Sequence, residues 1–97
     1  MYRLGRDHRG VTVGLTDTQI AGPNAKRFAL VIGCPLTNRV TIDFGRPAVM
    51  DQGITLYPSG APLILLYEHV GQAIREEIHA ITTAGPMSIG VLDIAWV

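Results

Sequence analysis

One cysteine, Cys34, is all the sulfur chemistry this 97-residue chain has to offer, and that excludes an internal disulfide. With no second thiol beside it, and Pro35 as its neighbour, Cys34 reads as a small hydrophobe or a turn-flanking residue. Charge is also scarce. Only 16% of residues are charged, and eight basic side chains balance eight acidic ones. Without a net field there is nothing to recruit nucleic acid nonspecifically or to hold the chain on an anionic membrane. Long apolar runs are missing too: the longest, Ala61 to Tyr67, is far too short to cross a bilayer. The opening, Met1 to Gly10, is polar and basic and does not resemble a secretory signal. These features predict a soluble protein made in a cytoplasm, with no specific nucleic acid and no membrane among its partners.

Hydrophobic residues nevertheless make up 47% of the chain. Such content at zero net charge predicts a homo-oligomer, or a protein held in place by a partner that covers part of its surface. The six prolines all fall between apolar runs, and the first four, Pro23, Pro35, Pro47 and Pro58, recur about every twelve residues. Proline removes a ladder donor and fixes φ, so this placement marks the joints between short extended segments. The segments alternate as strands do. Val40, Ile42 and Phe44 point one way and Arg39, Thr41 and Asp43 the other, a pattern that Ile54 and Leu56 repeat; these five apolar residues are the expected core. Phe28 to Ile32 and Leu63 to Tyr67 are apolar at nearly every position, as strands covered on both faces would be. Val11 to Leu15, Ile78 to Ile81 and Ile89 to Ala95 complete about seven strands, and Glu68 to Arg75 has room for one helical turn weakened by Gly71.

The fold class that follows is all-β: a single small antiparallel β-sandwich or barrel with an extended N-terminal arm. Residues 1–23 form the arm and a weak first strand, and residues 24–97 form the sandwich. Met1 to Gly10 has three arginines, two glycines and little to bury, so it reads as a mobile arm that orders on another chain.

Candidate chemistry is thin. His8, His69 and His79 are not spaced as metal ligands, which predicts no metal and no cofactor. Glu77 and His79 share a face of an extended segment, the nearest approach to an acid/base pair, but their expected setting is the wet side of a sheet. Glu68 and Glu76 read as a solvated face around a loop. Ser59 and Ser88 sit in turns without a nucleophile elbow, and no glycine loop is free to cradle phosphate. The expectation is a protein without catalytic residues. Seven of the eight basic residues are arginine, whose planar fork suits carboxylates and carbonyls at a protein interface. The interface candidates are therefore Arg3, Arg6 and Arg9 in the arm, with Trp96 and Val97 at an apolar end that either docks or closes the core.

The stretch Asn24 to Ile32, with Asn24 and Arg27 leading an apolar strand, followed by Arg39 to Gly45, resembles the opening of a group of small virion proteins of tailed bacteriophages. The similarity runs on through Gln52 to Leu65 and through Glu77 to Ile81 and Ile89 to Asp93, in an order and spacing that cover about three-quarters of the chain. The resemblance implies a β-sandwich fixed to the outside of a phage head as a decoration or cement protein, bridging subunits of the major capsid protein. A trimer at a three-fold or quasi-three-fold position is the favoured assembly. A tail, fibre or head-to-tail component acting as a host-binding or adaptor module is the alternative. The resemblance carries over no catalytic residues. The chain departs from the pattern in its first 23 residues and at Ser59.

Overall fold

Eight strands account for the regular structure of the computed structural model, which describes residues 4–33, 35, 37–58, 60–83 and 87–96. They are β1 (Leu4–Val13), β2 (Thr18–Ala21), β3 (Arg27–Ile32), β4 (Val40–Phe44), β5 (Ile54–Leu56), β6 (Leu63–Leu66), β7 (Ile78–Thr82) and β8 (Met87–Trp96). Between β6 and β7 lie a one-turn helix, α1 (Tyr67–Val70), and a 3₁₀ turn, Gly71–Arg75. The helical turn expected after Glu68 is there, and Gly71 ends it with φ of 76°, a conformation that favours glycine.

The strands form two four-stranded sheets, β1-β8-β3-β6 (sheet A) and β2-β7-β4-β5 (sheet B), with every described pairing antiparallel. The chain changes sheet at every connection except β4 to β5. That order is a jelly roll, two Greek keys wrapped into a sandwich. The described prolines stand at the joints as expected: Pro23, Pro35, Pro47, Pro58 and Pro62 all lie outside strands. Pro86 lies outside the described residues.

Alternation fills the space between the sheets. Leu30 and Ile32 of β3, Ile89 and Val91 of β8, Val40 and Ile42 of β4, and Ile78 and Ala80 of β7 join one buried cluster. Of the five expected core residues, Val40, Ile42 and Leu56 are buried, while Phe44 and Ile54 are half-buried and pack on the rim.

Three features differ from the sequence reading. Residues 4–10, expected as an arm that another chain would order, extend β1 and pair with β8 from Leu4 opposite Trp96 onward. Ladder hydrogen bonds to β8 along one edge are what make a strand of a segment with so few apolar residues. Thr18–Ala21 is a separate strand where a turn approach was expected, and a bulge in it offsets Gln19 from Ala21 against β7. Leu15, expected to continue the first strand, is 57% exposed in the connecting loop.

Candidate functional site

Two polar clusters and one apolar face stand out, and each follows from strand parity. In β3, Arg27 lies opposite Ala95 while Ala29 lies opposite Ile94, so Phe28 is an extra residue in a β-bulge. Without the bulge Arg27 would share the outward side of Ala29 and Val31. With it, Arg27 turns inward beside Asp93, which has the inward parity of Ile89 and Val91.

Arg27 is only 2% exposed, and its guanidinium is fully engaged. Nε donates to the Asp93 carboxylate, Nη1 donates to the carbonyls of Ile74 (2.9 Å) and Glu76 (3.1 Å), and Nη2 donates to Gly22 O (2.7 Å). One side chain thus ties β3 and β8 to the 3₁₀ turn and to the loop before β3. Arg75 reinforces the knot by donating to Arg27 O at 3.1 Å and stacking 3.8 Å from the Tyr67 ring centroid. Every contact of Arg27 is structural, and none points into open space.

The second cluster surrounds His79. Its strand parity places it on the outer face of sheet B, where the sequence predicted a wet polar pair with Glu77, yet it is only 7% exposed. Two loops roof it. Asp17, from the β1–β2 loop, lies 2.8 Å from Nδ1 through one oxygen and accepts the Ala48 N–H of the β4–β5 loop at 2.7 Å through the other. On the far side, Nε2 lies 3.1 Å from a Glu77 oxygen, close enough for an ion pair but too poorly aligned for a hydrogen bond. Burial opposes charge on this ring, but the Glu77 and Asp17 carboxylates outweigh it and raise its pKa above the ordinary histidine value. Glu77 and His79 do come together as their spacing suggested. Asp17, 62 positions from His79 in sequence, could not be found from that spacing.

The rest of the β4–β5 loop is fastened over the same face. Arg39 holds Asp51 by two bonds of 2.9 Å, the Asp51 N–H donates to Thr41 Oγ1 at 3.0 Å, and Thr41 shares a hydrogen bond with Thr55. Asp51 takes a positive φ of 63°, which aspartate tolerates better than most residues. The hydrogen bond from Arg39 holds its carboxyl below the usual aspartate value against the opposing effect of desolvation. Gly53 passes so close to β4 that an added Cβ would sit 2.4 Å from Ile42 O.

Among the described residues nothing comparable roofs the outer face of sheet A, although the small outward Ala29 is buried among its neighbours. Register places Ile94, Ala29 and Leu66 in one rung across β8, β3 and β6, and Leu92, Val31 and Ile64 in the next. Gly90 follows, with Gly33 donating to its carbonyl at 2.9 Å. No charged residue of β8, β3 or β6 stands in these rungs. Leu66, Val31, Leu92 and Ile94 are half-buried, and Ile64 is 63% exposed. At one end Phe28, Leu66, Tyr67 and Glu68 line a groove of about 340 Å³. The runs read from sequence as apolar on both sides are indeed so, but the second side is open.

Of the expected interface residues, Arg6 and Arg9 hold β1 positions opposite Ile94 and Val91, and Trp96 ends β8 opposite Leu4, so the three lie along one ribbon. Arg3 and Val97 lie outside the described residues, as do Cys34 and Ser59. His69 is exposed beside Glu68, 4.0 Å away. Among the described residues no group of three or more His, Cys, Asp or Glu side chains is arranged to hold a metal ion, and no helix is long and apolar enough to cross a membrane.

No protein-family description and no curated protein matches the chain. Among solved structures, a chain from Bacillus endospore appendages, described as a novel family of disulfide-linked pili, superposes with a TM-score of 0.61 at 15% identity. The match takes in 99% of this chain and 88% of that one, so the likeness extends over the whole sandwich and shows a shared fold.

Proposed function

We propose that this chain is a structural subunit of a tailed-bacteriophage virion, a decoration or cement protein that lays the open face of sheet A on the major capsid protein and bridges its neighbours. The observation that carries the reading is the apolar outer face that β8, β3 and β6 form in sheet A, with Ile64 63% exposed at its edge. A strand row that is apolar on both sides is stable in water only when a partner covers the second side. The phage assignment comes from the sequence resemblance, and jelly rolls recur among viral capsid domains.

A structural rather than catalytic role is supported by the chemistry of the polar clusters. Both nitrogens of His79 face carboxylates, which leaves neither free to take a proton from a hydroxyl nucleophile. Arg27 is saturated by carbonyls and Asp93.

The pilus neighbour favours a second reading, a tail or fibre component that polymerises. Its disulfide linkage does not carry over, because a single cysteine per chain can join chains in pairs but cannot propagate a linked series. Quantitative mass spectrometry of purified particles separates the two. Hundreds of copies on the head, with sheet A against capsid density, fit the cement reading. A dozen copies or fewer at the tail fit the fibre reading, and absence from the particle sinks both. Sedimentation of the free protein tests the expected trimer.

A further inference from the structure

The Asp17–His79–Glu77 cluster has a geometry that does more than fill space. An imidazole can donate from both nitrogens only when it carries both protons. Here Nδ1 lies 2.8 Å from Asp17 and Nε2 lies 3.1 Å from Glu77, so each nitrogen faces a carboxylate. The neutral ring keeps one N–H and turns a lone pair toward the other carboxylate.

The surroundings sharpen this preference for the charged ring. From β4, Asp43 is directly opposite His79, with its carboxylate shared between Arg46 Nε at 2.8 Å and the Phe44 N–H. From β2 the opposite residue is Gln19, which is neutral. Before β7, Glu76 packs its carboxylate on Gly45. The groups around the ring are thus Asp17, Glu77, Asp43 and the more distant Glu76, against the single exposed cation Arg46.

What the cluster holds gives it a purpose. Asp17 is the only described link that joins the β1–β2 loop, β7 and the β4–β5 loop through one side chain, and both loops carry an exposed aliphatic residue. Leu15 (57% exposed) precedes Asp17 by two positions, and Val49 (49% exposed) follows Ala48.

We propose that Asp17, His79 and Glu77 form a proton-operated latch that clamps the β1–β2 and β4–β5 loops onto sheet B in acid and releases them as His79 loses its proton. In the protonated state the ring binds both carboxylates, and Asp17 in turn holds the Ala48 N–H. On deprotonation the Nε2 lone pair repels Glu77, which is 40% exposed and free to swing out, and the Asp17 contact falls from an ion pair to a neutral hydrogen bond. The direction agrees with the raised pKa of the folded ring: its stabilisation is complete below the ordinary histidine pKa near 6.5 and is lost as pH rises through the higher folded value. The latch therefore sets how firmly Leu15 and Val49 are held relative to each other, whatever the particle on which the protein works.

The test is residue-resolved amide exchange by NMR on the full chain from pH 5.5 to 9, each rate divided by its intrinsic rate, with the His79 ring titrated in the same samples. Ala48 protection should fall at least about threefold more than that of Leu30 in β3, with its midpoint at the His79 titration. Glu77→Gln should move that midpoint to lower pH, and His79→Gln should abolish the step. Ala48 protection that does not change with pH, or that falls together with Leu30, overturns the latch; so does a step that survives in folded His79→Gln. Should that variant fail to fold, the wild-type series decides alone.

Discussion

Sheets A and B share one core but treat their outer faces in opposite ways. On sheet B the outward positions are polar apart from Ile81 (Thr41, Asp43, Thr55, Glu77 and His79), and the chain uses the 45–53 loop and Asp17 to cover them. On sheet A the outward positions are Ala29, Val31, Ile64, Leu66, Leu92 and Ile94, and nothing comparable is fastened over them. Polar side chains can be roofed by a loop because they supply hydrogen bonds that fix it. An apolar face offers no such anchors and must wait for a complementary apolar surface. The difference leaves sheet B as the face that this chain fastens with its own loops and sheet A as the face on which the proposed docking rests.

The largest effect should come from the Arg27–Asp93 pair, a buried charge on the inward side of sheet A. Asp93→Ala leaves the Arg27 guanidinium buried without its counter-ion and should cost about 3–5 kcal/mol in denaturant unfolding. A loss below about 1 kcal/mol would show that the three carbonyls satisfy Arg27 alone. Next, the faces can be set against each other. Ile42→Ala, on the inner face of sheet B, should cost about 2–5 kcal/mol, whereas Val31→Ala, on the outer face of sheet A, should cost about 1 kcal/mol or less. Equal losses would mean that Val31 is covered in the free protein and the contrast is false.

Glycines sharpen the same point. Gly53→Ala drives a methyl against Ile42 O and should destabilise by about 1–3 kcal/mol. Gly90→Ala places it in open space on sheet A and should change stability by no more than about 0.5 kcal/mol. The smallest stability change, again within about 0.5 kcal/mol, is expected for Ile64→Lys, and yet this variant should lose particle occupancy and self-association. Wild-type occupancy for a folded Ile64→Lys protein would remove sheet A from the docking surface.

Much of this arrangement is legible in the residues, and the rest is hidden for definite reasons. The alternation through Val40 to Phe44 identifies an inner and an outer side because a strand's period is two. The unbroken apolar runs at Phe28 to Ile32 and Leu63 to Tyr67 declare two apolar faces, but not whether the second is covered by this chain or by another. Leu4 to Arg9 could not be read as a strand because Leu4 is its one apolar side chain and no alternation follows; its pairing is dictated by β8, more than eighty residues away. The bulge at Phe28 leaves no glycine to announce it. Its one trace is Asp93, an acid inside an otherwise apolar strand, which implies a cation brought to the same side. His79 is an outward residue by parity and a buried one in fact, since parity sets the face while a remote loop sets the exposure.

The position of β8 bears on how the protein is made. Last of the eight strands to leave the ribosome, it lies between β1 and β3, so it is the only bridge between the edge strand and the rest of its sheet. Until residues 87–96 have been synthesised, β1 has no partner, Arg27 has no Asp93, and β3 and β6 can only form an isolated pair. At translation rates of about 5–20 residues per second, the nascent chain spends several seconds with the apolar residues of β3 and β6 unprotected. Folding of this domain therefore waits for β8, and a message that stops short of Met87 should yield aggregated chains in place of a smaller soluble fragment.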